Sequence, residues 1–448
     1  MKIAGKTKRS IAATPPRRST PVFWQAAVAL LLGACALWHL HIINRNMAPQ
    51  KGDLVPVWIG AQMALEHGNP YSDETTRKIQ TAYYGRPVTP EELRTVNKMG
   101  FAYPAHTLVL LSFIAPFSWM AVRTASLIVL PLVMAASVPL WLWTVGISVG
   151  PIRMALLTVL AVESWPSMWA IHQTQPTLLV GLLLAAGCLL LKQGNVIAAG
   201  IALAMATTKP QLAGILIAWL LLWAALRRCW SFLVSFLTSL SVLLAAATWL
   251  VPGWVQNWRA AMADYAAYRH LNLDLVAIFG HWAGGLLSAA IGLYSGFLLW
   301  RHRRCPADGL RFGLMCALAL AATICLSPNE PGMIYNEVLL LPAVLLLVHL
   351  KPTGYYPALA RRIALIQLGW GFLAVSVAVA CETIWQASDS MDAIPFLNLL
   401  FPVSVVIALQ LLASNREALI LQTNTEQKEQ TTEGALPLAE APSVEFFL

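Results

Sequence analysis

The chain has 448 residues, of which 58% are hydrophobic and 11% are charged, and its net charge is +9. A soluble domain carries roughly 25% charged residues, so this composition excludes a soluble globular protein. Runs of about 20 apolar residues recur along most of the chain, and each is long enough to cross a bilayer as a helix. Because lipid cannot satisfy backbone hydrogen bonds, we predict an all-α polytopic membrane protein.

Residues 1–21 are basic and contain several Pro and Thr. They predict a disordered arm that its positive charge holds in the cytoplasm, and this topogenic role is favoured over nucleic-acid binding. The first predicted span, 22–43, contains Leu32-Gly33-Ala34-Cys35, which faintly resembles a lipoprotein cleavage box. Apolar residues continue to Ile43, which favours an uncleaved anchor.

Residues 44–121 form a predicted outer loop with juxtamembrane helices. Its first stretch, Lys51 to Tyr71, places Asp53 just past the membrane exit. A short amphipathic helix is predicted next, ending at the turn signal Gly68-Asn69-Pro70. Its apolar positions are Val57, Ile59, Met63 and Leu65, and its polar positions are Gln62, Glu66 and His67. A lone acid near a membrane surface is most often only solvated, so this stretch alone assigns Asp53 no role.

Charge decides whether the apolar piece 104–121 crosses the membrane. If it lies in the interface, all later basic loops and the C-terminus fall on the cytoplasmic side, as the positive-inside rule requires. These loops carry Lys192, Arg227-Arg228, Arg301 to Arg304 and Arg361-Arg362. The result is about twelve spans with both termini cytoplasmic. They lie near 22–43, 124–145, 152–170, 176–192, 195–208, 210–226, 230–251, 284–301, 310–326, 334–350, 361–381 and 394–413. The membrane domain is therefore 22–413, and residues 414–448 form a predicted disordered cytoplasmic tail.

The unusual polar residues then collect at the outer face, where ionisable groups at the ends of spans are costly without a function. We therefore expect a site at that surface. The residues concerned are Asp53, Tyr71, Tyr103, Glu163, Gln173, Gln175, Lys209, 254–270, Asp274, His281, Asn329, Tyr335, Asn336 and Glu337. Structural alternatives stay open, since Glu163 can pair with a neighbouring span and Lys209 can extend to the interface. The seven cysteines and the histidines show no ligand spacing, so no disulfide or metal site is predicted.

Four motifs follow one another between about residues 50 and 345. The first consists of Asp53, Trp58, Ala61, Ala64, Leu65, Gly68, Pro70 and Tyr71. The second is Phe101-Ala102-Tyr103-Pro104, and the third is Gln175-Pro176-Thr177 with Lys192-Gln193-Gly194, Ala199-Gly200 and Lys209-Pro210. The fourth is Leu326-Ser327-Pro328 followed by Tyr335-Asn336. In this order they resemble glycosyltransferase family 87, a group of GT-C-fold membrane enzymes that use polyprenyl-phosphate sugars.

The chain departs from the family pattern at four positions. Asn69 stands where an acid is usual, and Thr174 stands where Gly commonly precedes the Gln. Thr177 replaces a frequent Asn, and Asn336 replaces a frequent Asp or His. None of these departures touches Asp53.

The resemblance implies a GT-C-like fold and an inverting single displacement at the outer face. A hexose, mannose by family default, would move from a polyprenyl-phosphate donor to a glycan or glycolipid acceptor. Asp53 would be the general base, and Lys209 would stabilise the leaving phosphate. The other expected substrate-binding residues are Tyr71, Tyr103, Gln175, Tyr335, Asn336 and Glu337, with Arg259, Arg269 and His281 as weaker candidates. No cofactor, metal or nucleic acid is expected, and the location would be the bacterial inner (cytoplasmic) membrane with the site on the periplasmic side.

Other classes stay open at this point. A secondary transporter would also have about twelve spans, but it should show repeated halves and polar residues near the bilayer midplane. No convincing repeat is found, and the polar residues gather at one face. A lipid-linked glycan ligase would rely on a large outer loop late in the chain, whereas the loop at 252–283 is modest. A non-catalytic scaffold would explain neither Asp53 with its ordered companions nor the one-sided polarity.

Overall fold

The computed structural model describes residues 50–89, 91–92, 96–269, 273–327, 334–350, 352–385 and 400–415, with scattered positions between 26 and 45. All regular structure in these residues is helical, as predicted. The α-helices are α1 (Val55–Leu65), α2 (Asp73–Tyr84), α3 (His106–Leu111), α4 (Trp119–Val145), α5 (Pro151–Glu163), α6 (Trp165–His172), α7 (Thr177–Lys192), α8 (Val196–Met205), α9 (Pro210–Leu226), α10 (Trp230–Leu250), α11 (Trp254–Arg269), α12 (Asp274–Arg301), α13 (Leu310–Leu326), α14 (Leu341–His349), α15 (Tyr355–Trp385) and α16 (Phe401–Ser414). The 3₁₀ helices are Ser112–Ile114, Ala206–Thr208 and Ile334–Leu340. The predicted arm, most of span 22–43 and the predicted tail from 416 onward lie outside the described residues.

The helices agree with an all-α membrane protein. Among the described residues, α4, α10 and Leu275–Arg301 of α12 are long and apolar enough to cross a bilayer. The bent pair α5–α6 adds a fourth crossing if it counts as one span. Seven further apolar helical segments have 10–17 residues. The number of twelve spans therefore stays a prediction.

Helix α13 is the centre of the bundle. Every residue from Phe312 to Cys325 is buried, as expected for a helix that is apolar on all sides. Helices α4, α9, α12, α14 and α16 pack against it. Gly313 allows the closest approach, because a Cβ there would lie 2.6 Å from the Cα of Val145. Small residues at such crossings let membrane helices come into contact.

The predicted outer loop contributes most residues of a second apolar cluster around α1. Eight of the eleven residues of α1 are buried, since α2 and α3 pack against it. The prediction of an amphipathic helix is therefore wrong for α1. The helix also ends at Leu65, before the predicted turn, where His67 adopts a φ of 59°. Helix α11 contacts the loop through the partly exposed Lys98–Asp264 ion pair, with 2.6 Å between Nζ and Oδ2.

The segment 104–121 contains too little helix to cross the membrane. Helix α3 has six residues, about 9 Å at 1.5 Å per residue, against a hydrocarbon core of about 30 Å. The chain then starts α4 at Trp119, where the side chain of Ser118 caps the helix by accepting from the N–H of Ala121. This geometry agrees with the interfacial placement that the basic loops predict.

The structure corrects two predicted segments. The segment predicted as the span 152–170 is not one continuous helix, because α5 and α6 are bent by 57° at Ser164. Pro166 explains the break, because it has no N–H and its ring would clash with the carbonyl of Val162 in a continuous helix. The span predicted over 284–301 starts too late, because the apolar helix covers Leu275–Arg301. Helix α11 occupies half of the predicted loop 252–283.

Helices α7, α9 and α14 run in the same direction. Their C-terminal ends lie at an end of the bundle that carries basic residues, where Lys192 donates to the carbonyl of Trp143 at 2.7 Å. At the same end Arg227 donates to the carbonyl of Arg304 at 3.1 Å, and Arg361 donates to the carbonyl of Leu347 at 2.5 Å. Their first turns begin at the opposite end, where the polar residues Thr177, Lys209 and Asn336 meet.

Candidate active site

Asp53 lies at the start of the first outer loop and is held by its backbone. Its N–H donates to the carbonyl of Gln173, at the end of α6, at 2.7 Å. The next N–H, of Leu54, donates to the hydroxyl of Thr174 at 3.4 Å. The carboxylate is half-buried. Residues about 120 positions apart in sequence thus fix the position of this acid.

A hydrogen-bonded chain leads from Asp53 to Lys209. The side-chain amide of Gln175 donates from Nε2 to Oδ2 of Asp53. Its Oε1 accepts from Nζ of Lys209 at 2.7 Å. Gln175 and Lys209 are 2% and 5% exposed, respectively. The amide therefore bridges a carboxylate and an ammonium group at the same end of the bundle.

The ammonium group of Lys209 has two further kinds of neighbour. It donates to the hydroxyl of Thr177 at 2.7 Å, and this hydroxyl donates in turn to Oδ1 of Asn336 at 3.3 Å. The rings of Tyr103 and Tyr335 have their centroids 5.6 and 5.5 Å from Nζ, within the range of cation–π attraction. Two of the three ammonium hydrogens are donated to Gln175 and Thr177.

Burial controls the electrostatics of this cluster. It lowers the pKa of Lys209 to about 8, and the nearby charge of Asp53 opposes this effect. It also raises the pKa of Tyr103, an effect to which Asp53 adds. Burial alone raises the pKa of Tyr71. Both phenols are therefore neutral hydrogen-bonding groups at physiological pH.

The remaining predicted site residues lie close to the cluster or beside it. The hydroxyl of Tyr71 donates to the carbonyl of Tyr103 at 2.8 Å, which joins the end of the first motif to the second. Glu337 follows Asn336 in the 3₁₀ helix Ile334–Leu340 and lines a cavity behind it. The weaker candidates Arg259 and His281 are exposed on α11 and α12, and the side chain of Arg269 lies outside the described residues.

Three residues of the site were not predicted from sequence. Gly52 has a φ of 156°, and a Cβ there would lie 2.5 Å from the hydroxyl of Thr174 and 3.1 Å from the ring of Trp119. Thr174 has a φ of 50°, in the left-handed region that β-branched residues rarely adopt. Thr177 contributes the hydroxyl that Lys209 contacts. The sequence contains one indication of the backbone conformation at Thr174. The family commonly has Gly at this position, and Gly suits a positive φ.

The cluster contains the groups that a displacement at a phosphate-linked carbon needs. A half-buried carboxylate can accept a proton from an attacking hydroxyl. A buried ammonium can stabilise an oxyanion that leaves with its electron pair. The Gln175 amide holds the two groups at a defined separation. The predicted residues Asp53, Tyr103, Gln175, Lys209, Tyr335 and Asn336 thus come together in one place.

The profile of glycosyltransferase family 87 matches residues 101–328 of the chain. This region contains Tyr103, Gln175 and Lys209, whereas Asp53 precedes it and Tyr335 follows it. A comparison with curated proteins gives no match. The match covers just over half of the 448 residues and agrees with the motifs in the sequence. The chain belongs to glycosyltransferase family 87.

Proposed function

We propose that this glycosyltransferase transfers a hexose, mannose by family default, from a polyprenyl-phosphate donor to a glycan or glycolipid acceptor. The reaction takes place on the outer face of the bacterial cytoplasmic membrane, at the cluster of Asp53, Gln175 and Lys209. No metal or other cofactor takes part in the proposal, since the lipid-linked sugar is itself a substrate.

The proposed reaction is a single in-line displacement. Asp53 accepts the proton of the acceptor hydroxyl as its oxygen forms a bond to the anomeric carbon. The bond between that carbon and the phosphate oxygen breaks, and the polyprenyl phosphate leaves with the electron pair. Lys209 stabilises the phosphate, with Tyr103 and Tyr335 around the ammonium group. One displacement inverts the anomeric configuration, so a second catalytic carboxylate is unnecessary.

The observation that carries this proposal is the Asp53–Gln175–Lys209 chain. This chain brings the carboxylate that we propose as base and the ammonium group that we propose as phosphate contact to the same end of the bundle, in a member of a glycosyltransferase family. The secondary transporter and the ligase gain no comparable support. A transporter site would lie near the middle of the spans, whereas this cluster lies at helix ends.

The proposal is tested by sugar transfer in isolated membranes. Radiolabelled polyprenyl-phosphate mannose is the donor, and extracted lipids and glycans are the acceptors. We expect Asp53→Asn to lower the transfer rate by a factor of about 100 or more, in the range of general-base catalysis. Asp73→Asn is the matched control, because Asp73 is an exposed acid of the same loop, in the first turn of α2, and we expect it to transfer at the wild-type rate.

Equal transfer by the wild type and Asp53→Asn, at equal expression, would exclude Asp53 as base and direct attention to Glu163 and Glu337. If the wild type transfers nothing, the experiment is repeated with a panel of lipid-phosphate sugars. Failure of the whole panel would contradict the proposed donor class.

A further inference from the structure

A short segment that begins at Tyr103 contacts Lys209 from two directions. The ring of Tyr103 has its centroid 5.6 Å from Nζ of Lys209. His106 and Thr107, the first two residues of α3, contact the 3₁₀ helix Ala206–Thr208, which leads directly into Lys209. The segment therefore meets both the ammonium group of the lysine and the backbone that carries it.

Lys209 lies at a break between two helices. Its φ of −123° and ψ of 79° are not helical, and the next residue, Pro210, starts α9. The N–H of Leu212 donates to the carbonyl of Lys209 at 3.0 Å, so it is not available to the carbonyl of Thr208, its partner in a continuous helix. The hydroxyl of Thr107 donates to the Thr208 carbonyl instead, at 3.4 Å. Helix α3 thus supplies a hydrogen bond that the break removes.

The second contact of α3 fixes the tautomer of His106. Nε2 of its ring lies 3.2 Å from the hydroxyl oxygen of Thr207. That hydroxyl donates its hydrogen to the carbonyl of Ala204 at 2.6 Å, so it can only accept from the ring. Nε2 therefore carries the ring hydrogen and donates it to Thr207.

The surroundings of the His106 ring keep it neutral. The residue is 4% exposed, and the ring of Trp254 packs against it edge-on with 6.2 Å between the centroids. Burial lowers the pKa of His106 below its ordinary value. Nδ1 is buried and has no hydrogen-bond partner among the residues that the structure describes, so a proton there would be unpaired. At neutral and alkaline pH the ring is an uncharged donor to Thr207.

We propose that His106 is a positioning residue for Lys209. Its Nε2–H holds the hydroxyl of Thr207, and together with the contact from Thr107 to Thr208 it fixes the turn from which the lysine side chain enters the site. The inference rests on the proposed function, because the position of the ammonium group affects catalysis only if that group contacts the donor phosphate. His106 acts through the backbone of Lys209 and does not contact the substrate.

Thr207→Val tests the proposal, since valine has the shape of threonine and cannot accept from His106. We expect kcat/KM for the donor to fall about tenfold or more, because a small displacement of a group that contacts the substrate is costly. We also expect the alkaline fall of kcat/KM to move to higher pH. Burial lowers the pKa of Lys209 to about 8, and a loosened turn would admit water and raise this pKa towards the ordinary value of lysine. Initial rates at subsaturating donor over a pH series measure both effects.

Thr207→Ser and Thr144→Val are the matched controls. Serine keeps the hydroxyl, so Thr207→Ser should keep the wild-type rate and pH profile. Thr144 is a buried threonine at the basic end of the bundle, and its hydroxyl donates to the carbonyl of Leu140 at 2.8 Å. We expect Thr144→Val to leave the pH profile unchanged.

A wild-type pH profile in Thr207→Val would overturn the proposal even if the variant unfolds at a lower temperature, because the contact would then only stabilise the fold. Equal shifts in Thr207→Ser and Thr207→Val would overturn it as well. If Thr207→Val does not fold, His106→Gln and His106→Leu replace it. Glutamine can place an amide N–H near the position of Nε2 and should keep the wild-type profile, whereas leucine has no donor and should shift it. Identical profiles in these two variants would contradict the proposal.

Competitive acetylation separates this inference from the proposed function. Acetylation of Lys209 by acetic anhydride over a pH series, quantified on the labelled peptide, gives the pKa of the lysine without any donor. If the wild type transfers no sugar from a panel of lipid-phosphate donors, the proposed function is contradicted, whereas a higher Lys209 pKa in Thr207→Val still supports the positioning contact. Sugar transfer by the wild type, with equal Lys209 pKa values in both proteins, would contradict this inference alone.

Discussion

At the scale of single residues, Gln175 uses both ends of its side-chain amide. Its oxygen faces the ammonium group of Lys209, and its nitrogen faces the carboxylate of Asp53. This orientation is the one that the two charges dictate, because only the amide oxygen accepts and only the amide nitrogen donates. Burial of both Gln175 and Lys209 strengthens these bonds, since charge-assisted hydrogen bonds are stronger where water is excluded.

The lowered pKa of Lys209 predicts how activity depends on pH. In the free enzyme the ammonium form disappears as the pH rises through about 8, and the neutral amine binds a phosphate anion poorly. We expect kcat/KM for the donor to fall above this pH, approaching about tenfold per pH unit, because kcat/KM reports ionisation of the free enzyme. Initial rates at subsaturating donor over a pH series measure this fall.

Lys209→Arg is the variant that identifies the group. Arginine stays charged throughout this range, so the alkaline fall should disappear in any variant that retains activity. An identical pH profile in Lys209→Arg would mean that another group titrates. Loss of all activity in this variant would be followed by direct measurement of undecaprenyl phosphate binding over the same pH series.

Thr174 combines a strained backbone with a useful hydroxyl. Its φ of 50° destabilises the folded state by roughly 1–2 kcal/mol for a non-glycine residue. The hydrogen bond that its hydroxyl accepts from Leu54 stabilises the folded state by about 1 kcal/mol. We expect Thr174→Gly to be nearly as stable as the wild type, because it removes both the backbone strain and the hydrogen bond from Leu54. Thr174→Val keeps the strain and removes the acceptor, so it should unfold several degrees lower in a thermal scan. The opposite order of the two variants would contradict this account.

At the scale of helices, close contact between α8 and α10 depends on Gly200. A Cβ there would lie 2.7 Å from the backbone nitrogen of Phe236, which cannot move as a flexible side chain can. We expect Gly200→Ala to destabilise the protein by about 1–3 kcal/mol, the usual cost of overpacking. Thermal unfolding in detergent measures the effect.

Gly214→Ala is the matched control for this contact. Gly214 lies in α9, and a Cβ there would meet nothing within 4 Å. Alanine is also the better helix former by roughly 1 kcal/mol. The unfolding temperature of this variant should equal or exceed that of the wild type. Equal effects of the two substitutions would show that the α8–α10 contact tolerates a methyl group.

The bend between α5 and α6 has consequences beyond the two helices. It ends the first helix before Ser164 and lets α6 run to the turn that presents Gln173, Thr174 and Gln175. The same bend places Ser164 and Trp165 in the wall of the cavity that Glu337 lines. A straight span over 152–170 would have provided neither feature. The bend thus contributes to both the site and the cavity wall.

At the scale of the whole molecule, the polar cluster and the basic loops lie at opposite ends of shared helices. Lys209 and Arg227 flank the two ends of helix α9, and α7 runs from Thr177 to Lys192. The positive-inside rule predicts that the basic end lies in the cytoplasm. The proposed outer-face site agrees with this prediction.

Cysteine accessibility in intact cells tests the orientation. The seven native cysteines are replaced, and single cysteines are introduced as Glu66→Cys or Arg304→Cys, both at exposed positions. A membrane-impermeant thiol reagent should label the first variant in intact cells and the second only after the membrane is opened. The reverse pattern would place the site in the cytoplasm and contradict the outer-face proposal.

Sequence alone established the membrane class, the helical content and most helix positions, because apolar runs and their interruptions are local properties of the chain. The ordered motifs also indicated family 87, which the profile match confirms. The roles of Asp53 and Lys209 and the number of spans stay predictions.

The tertiary structure shows burial and long-range contacts that local sequence patterns do not encode. Burial of α1 on nearly all sides depends on α2 and α3, which the periodicity of α1 does not report. The Asp53–Gln175–Lys209 chain joins segments more than 30 and more than 120 residues apart. The strained Thr174 accepts a hydrogen bond from the N–H of Leu54, which belongs to a segment distant in sequence. Such contacts form only when the whole bundle packs, because each depends on partners that are remote in sequence and adjacent in space.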